Sequence, residues 1–158
     1  KGIRTLLRVC RALPEVRFVF AGSGPLEGEL LGIPNVECVG FQTGEALESL
    51  VRKARFSVYP SEWFENCPFS VLESLLQGTP VLGADIGGLP ELIEPGKTGE
   101  LFRSGDAADL EGKIRAMWAD RDAGRYDRNL RNLRFDTLGE YSKKLLEVYA
   151  GGREAPAR

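Results

Sequence analysis

Histidine is wholly absent from the 158 residues of this chain. Its absence excludes a histidine general base, a histidine-containing triad and a histidine-ligated metal within the chain. Cysteine is scarce. Cys10, Cys38 and Cys67 are odd in number, and none stands in C-x-x-C spacing. That pattern argues against a disulfide framework or a thiolate zinc site and for a reducing compartment, so cytoplasmic placement is expected. No apolar run approaches the roughly 20 residues of a membrane span. A basic excess is missing too: 21 Lys and Arg face 23 Asp and Glu, for a net charge of -2. A generic nucleic-acid binder carries a basic face, so no nucleic-acid partner is expected. There are no repeats, no low-complexity tracts and no internal linker. No signal-peptide pattern is present, but the chain opens on Lys1, which leaves room for a lost leader or upstream domain.

Hydrophobic residues make up 42% and charged residues 28%, the proportions of an ordinary globular protein. The length suits one core. Residues 1–150 read as a single domain and 151–158 (GGREAPAR) as a disordered tail. Apolar spacing predicts helices over 4–13, 45–54, 69–77, 106–119 and 137–149. Between them, β-rich runs at 16–21, 36–39, 56–59, 81–84 and 100–102 read as strands. Gly78 suits the stop of the third helix and Asp106 the N-cap of the fourth, whose buried face would carry Leu110, Ile114, Met117 and Trp118. Strands alternating with helices imply α/β architecture, a parallel sheet covered on both faces.

Two segments carry chemistry. Gly22-Ser-Gly24-Pro25 follows a strand directly, where glycines let the backbone turn sharply and approach a ligand. A dinucleotide fingerprint would require glycine at position 27, which is Glu27; Gly28 is one residue out of register, so nicotinamide binding is disfavoured. The second segment is P-S-E-W-F-E-N-C-P-F-S-V-L-E-S at 60–74. It places Glu65 in a loop after a strand and Glu73 inside the next helix. In a parallel sheet such a loop lies at the carboxyl ends of the strands, where ligands bind. The first-turn N–H groups at Phe69, Ser70 and Val71 suit a phosphate. Glu73, one turn later, can accept hydrogen bonds from the vicinal hydroxyls of a ribose, and Glu65 can meet a sugar hydroxyl. Two acids eight apart are nevertheless common by chance, and an exposed loop acid beside a solvated helix acid explains the spacing equally well.

The segment resembles the Glu-x7-Glu motif of the group 1 retaining glycosyltransferases, which have the GT-B fold. L-E-S-L-L-Q-G-T-P-V-L at 72–82, Gly87-Gly88-Leu89-Pro90-Glu91, Gly96-Lys97-Thr98-Gly99, F-A-G-S-G-P-L at 20–26, V-G-F at 39–41 and Lys1-Gly2 are similar to that family's other motifs, in the same order. The resemblance runs to Tyr149. It implies a Rossmann-like doubly wound parallel sheet that binds a nucleoside-diphosphate sugar, UDP- or GDP-linked, as substrate, with no separate cofactor and no metal. By position, Glu65 matches the catalytic acid beside the donor sugar. Lys1 matches the lysine that contacts the diphosphate, and Glu73 the ribose-binding acid. Gly22, Gly40 and Phe41 match positions around the nucleotide, with Phe41 where backbone meets the base. Asn66 belongs to an E-N-x-P branch that replaces the commoner F-G, and the backbone at Phe69 and Ser70 would take the diphosphate.

The same resemblance implies two absences. One is an N-terminal acceptor domain, through which peripheral contact with the inner face of a membrane stays open. The other is the first strand of the sheet, which would leave the strands at 16–21 and 56–59 without a common neighbour. The isolated chain is therefore expected to bind nucleotide weakly without turnover. Three readings remain beside this one. A catalytically silent module on the same fold is the alternative of a different class. Cys67 as a nucleophile is disfavoured by the lack of histidine and by Pro68 beside it. Trp63-Phe64 reads either as a sugar platform or as residues buried at a domain seam.

Overall fold

The computed structural model describes residues 1–120, 122 and 124–151; the expected tail beyond Gly151 lies outside them. Helix α1 (Ile3–Ala12) opens the chain, followed by β1 (Phe18–Ala21), α2 (Glu27–Leu30), β2 (Val36–Gly40) and α3 (Gly44–Lys53). Then come β3 (Ser57–Tyr59), α4 (Phe69–Leu76), β4 (Val81–Ala84), α5 (Leu89–Leu92) and β5 (Gly99–Phe102). Helices α6 (Ala107–Ala119), α7 (Gly124–Leu130) and α8 (Leu138–Tyr149) complete the described residues.

The strands form two open parallel sheets. One is β1–β2, and the other runs β3–β4–β5. The central strand β4 is buried on both faces, with Val81, Leu82 and Ala84 fully inaccessible. A continuous apolar run there is what a parallel strand under two helical layers requires. Among the described residues no ladder joins β1 to β3, in agreement with the missing common neighbour expected from the sequence.

The core is continuous although the sheet is not. Leu6, Leu7, Val9 and Cys10 give α1 one buried face, and it packs against α6 through Leu110, Ile114 and Met117. Asn35 ties this layer to the first sheet: its side-chain amide donates to the carbonyls of Cys10, Leu13 and Val16 at 3.0, 2.8 and 2.8 Å. Arg115 on α6 donates to Ala12 O at 3.3 Å, placing a cation at the C-terminus of α1. Ser74 of α4 bonds Ser57 Oγ of β3 at 2.8 Å and Thr79 O at 3.2 Å, while Thr79 Oγ1 donates to Val51 O at 2.7 Å. These satisfied buried hydroxyls fix α4 to the sheet and to α3.

Three details depart from the sequence expectation. The first strand starts at Phe18, because Val16 N–H turns back to Leu13 O at 3.0 Å. Trp118 packs against the core but is only partly buried, and Arg55 lies over its ring at 5.5 Å. The short helices α2, α5 and α7 fall in stretches with no clear periodicity. Other cues held: Asp106 Oδ1 accepts from the N–H groups of Ala108 and Asp109 at 3.0 Å each, and Gly78 closes α4 with φ of 79°. Helix α8 buries none of its residues, and Leu138, Tyr141, Leu146, Val148 and Tyr149 are all exposed.

Candidate functional site

Parallel pairing puts the carboxyl ends of the strands, and the loops that follow them, on one edge of each sheet. On the first sheet Ala21 pairs with Gly40 after an irregularity in register. Gly22 N–H then donates to Gly40 O at 2.7 Å. Both glycines hold positive φ, 133° and 69°, which a side chain would strain. Phe41 stands just beyond them, 78% exposed, and Gln42 Nε2 donates to Val39 O to pin the turn. Gly22, Gly40 and Phe41 therefore make one corner, built almost entirely of backbone.

The second corner starts where β3 ends. Pro60 and Ser61 are buried, and Ser104 Oγ donates to Ser61 O at 3.0 Å. Gly2 lies on Pro60, which brings the first residues of the chain over the loop. Lys1 Nζ donates to Glu65 Oε1 as an ion pair, with the carboxylate 18% exposed and the ammonium 69%. Thr5 Oγ1 donates to Glu62 in the same loop. An ion pair this open contributes at most about 1 kcal/mol, so its effect is orientation rather than stability. From the other side, Gly88 N–H donates to Glu65 O at 2.7 Å.

Helix α4 follows. Pro68 precedes it without a side-chain cap, which leaves the first-turn N–H groups without a side-chain acceptor. Val71, Ser74 and Leu75 face the core, whereas Phe69, Ser70 and Glu73 face solvent. Three residues apart, Ser70 and Glu73 share that outer face. Tyr59 Oη, at the end of β3, donates to Ser70 O at 2.7 Å. Burial raises the Tyr59 hydroxyl above its ordinary range, the bond to Ser70 opposes that, and the negative charge of Glu73 adds to it. The phenol thus stays a neutral donor that holds the first turn of α4. Asn66 and Cys67 are exposed, as are Trp63 and Phe64.

A cavity of about 780 Å³ opens between the start of α1 and the turn at 22–27. Lys1, Arg4, Arg8 and Gly22 line it together with Glu27 and Glu62, so three cations face two acids. Phe20 of β1, Cys38 paired beside it on β2 and Leu30 of α2 form its apolar side. Phe41, Asn66, Phe69, Ser70 and Glu73 do not reach it. The structure thus joins Lys1 to Glu65 and Gly22 to Gly40. Among the described residues no hydrogen bond links Glu65 to Glu73, and the loop and helix that carry them follow a different sheet from the Gly22–Phe41 corner. Sequence reasoning passed over Glu62, Tyr59 and the packing of Gly2 on Pro60. Only the P-S-E order and the aromatic closing β3 hinted at them. Among the described residues no group of three or more His, Cys, Asp or Glu could hold a metal, and no helix is long and apolar enough to cross a membrane.

Residues 1–120 match the family model described as glycosyl transferases group 1. The chain belongs to that family. It is 36% identical over 129 residues to the sulfoquinovosyl transferase SQD2 of Arabidopsis thaliana, covering 77% of this chain and 25% of the plant protein. It is 28% identical to the putative colanic acid biosynthesis glycosyltransferase WcaL of Escherichia coli, covering 74% of this chain and 33% of that one. Sucrose-phosphate synthase from Thermosynechococcus elongatus superposes with a TM-score of 0.74 at 26% identity, over 96% of this chain and 42% of that structure. Anabaena HepE in complex with UDP superposes at 0.79 with 23% identity, over 95% and 45%, a likeness of fold. The architecture is that of GT-B glycosyltransferases. The chain spans about a quarter to a third of the length of these curated relatives.

Proposed function

We propose that this chain is the donor-binding part of a retaining glycosyltransferase that uses a nucleoside-diphosphate sugar. The observation that carries the reading is the Lys1–Glu65 ion pair at the foot of α4, beside an uncapped first turn. A carboxylate held by a cation, in the loop that leads into helical N–H groups, matches what a departing diphosphate and a reacting sugar need. Lys1 and the N–H groups at Phe69 and Ser70 offset the charge that grows on the leaving group. Glu65 sits at the sugar, and Glu73, on the same face as Ser70, accepts the ribose hydroxyls. Phe41 and the backbone at Gly22 and Gly40 meet the nucleoside. Asn66, next to Glu65, borders the hexose.

Group 1 membership and the likeness to a UDP complex support nucleotide-sugar use. The length of the relatives supports a further domain that supplies the acceptor site, and the open edge of β1 suits one more parallel strand between the two sheets. A catalytically silent module has no observation in its favour, since both acids and Lys1 are present and two of the three are joined. Titrating UDP and GDP into the chain tests the donor reading: one of the two should bind in the micromolar to millimolar range, and binding of neither overturns it. Sugar transfer by the longer protein, lost in Glu65→Ala with nucleotide binding retained, would separate an enzyme from a silent binder.

A further inference from the structure

The loop between Ser61 and Pro68 has no regular secondary structure, so nothing in its own hydrogen bonding sets where Glu65 stands. The turn at Gly87-Gly88, after β4, does. Gly88 N–H donates to Glu65 O at 2.7 Å. A Cβ added to Gly88 would lie 1.8 Å from Asn66 O and 2.9 Å from the Asn66 carbonyl carbon. One added to Gly87, where φ is +60°, would lie 2.5 Å from Glu65 O and 2.9 Å from Glu65 N. Every obstructing atom is backbone, so relief requires the loop itself to move. On the opposite side, a Cβ at Gly2 would stand 1.6 Å from Pro60 O. Most glycines of the chain are not so confined: a Cβ at Gly22, Gly24, Gly40, Gly78 or Gly112 would meet nothing within 4 Å.

We infer that Gly87 and Gly88 are positioning residues for Glu65. They form a side-chain-free seat against which the Phe64–Asn66 backbone rests, so that the carboxylate meets Lys1 while the loop stays free of regular structure. The inference rests on the proposed role of Glu65 at the sugar. A methyl group on Gly88 must push Asn66 O away by more than about 1 Å to relieve the 1.8 Å contact, and a misplacement of about 1 Å costs on the order of 100-fold in rate when the displaced group acts on the reacting centre.

Three measurements test it. In the unaltered chain, a scalar coupling across the hydrogen bond should connect the Gly88 amide nitrogen to the Glu65 carbonyl carbon. In Gly88→Ala, the nuclear Overhauser contact between the Lys1 ε-methylene and the Glu65 γ-methylene should disappear, while UDP affinity stays within about twofold. In the longer protein, Gly88→Ala should lower kcat by about 100-fold with little change in KM for the donor. Gly112→Ala, on the exposed side of α6, should change none of these. An unchanged Lys1–Glu65 contact or an unchanged kcat overturns the inference. So does a loss of affinity and rate in parallel with the melting temperature, which would mark a purely structural role. If Gly88→Ala does not fold, absence of the coupling in the unaltered chain overturns it and its presence supports it. If the unaltered longer protein transfers no sugar, the functional reading fails, and the Lys1–Glu65 contact in Gly88→Ala decides the positioning role by itself.

Discussion

Helix α4 offers a direct contrast between its two faces, because Glu73 and Leu75 lie two residues apart and face opposite ways. Leu75 is fully buried between α4 and the sheet. Truncating it to alanine removes most of a buried aliphatic side chain and leaves a cavity, a change of about 3 kcal/mol within the usual 2–5. For a chain of this size each kcal/mol moves the melting temperature by about 2–4 °C, so Leu75→Ala should melt about 6–12 °C lower. Glu73 is exposed, so Glu73→Ala should stay within about 0.5 kcal/mol of the parent. Its effect belongs to binding. A carboxylate that accepts the ribose hydroxyls contributes about 1.5–3 kcal/mol, equivalent to roughly 10- to 100-fold in the Kd for UDP. Differential scanning calorimetry with and without UDP reads both effects at once. At 100 times its Kd, UDP should stabilise the parent and Leu75→Ala by about 2.7 kcal/mol, whereas at that same concentration Glu73→Ala should gain far less. If Glu73→Ala loses stability as Leu75→Ala does, or gains the full stabilisation from UDP, the ribose assignment is refuted.

Further expectations follow from single contacts. A Cβ on Gly99 of β5 would stand 1.9 Å from Val81 O on the neighbouring strand, so Gly99→Ala should lower the urea midpoint more than Leu75→Ala does. The Asp106 carboxylate is held below its ordinary pKa by the N–H of Asp109 first, with Arg103 and Ala108 adding to the effect. A depressed folded-state value means that its contribution is complete above the unfolded carboxylate range and fades as pH falls through the lower folded value. Asp106→Asn keeps the cap but should flatten that part of an acid-denaturation curve. Burial pushes the Cys10 thiol up to about 12, whereas Cys67 is exposed. Iodoacetamide at pH 8 should therefore alkylate Cys67 in the folded chain and reach Cys10 only after denaturant is added, as read by peptide mass spectrometry.

Much of this molecule was legible in advance because its signals are local. The apolar run at 81–84 could only be a strand covered on both sides, and it is the buried centre of the second sheet. The stop at Gly78 and the cap at Asp106 each satisfy backbone groups within a few residues of themselves. The short helices α2 and α5 were not legible, since four residues give no period to detect. Trp118 does lie on the core side of α6, though only partly buried; the approach of Arg55, 63 positions earlier, to its ring was not legible, because sequence spacing carries no information about it.

The sequence by itself determined the family, through the order of its motifs, and so which residues are proposed for a donor site: the acids eight apart and the glycine turns after strands. It also determined the parallel α/β class, because helical and strand periods alternate along the chain. Only the tertiary structure decided how those residues meet. Lys1 reaches Glu65 because Gly2 lies on Pro60, and Glu65 stands where it does because two glycines from the far side of β4 leave no side chain between their backbone and its own. The fold likewise decided that Gly22 and Gly40 form one backbone corner on a sheet that shares no ladder with β3. Backbone-to-backbone approach of this kind depends on the absence of atoms, and its partner is revealed only when the chain has folded.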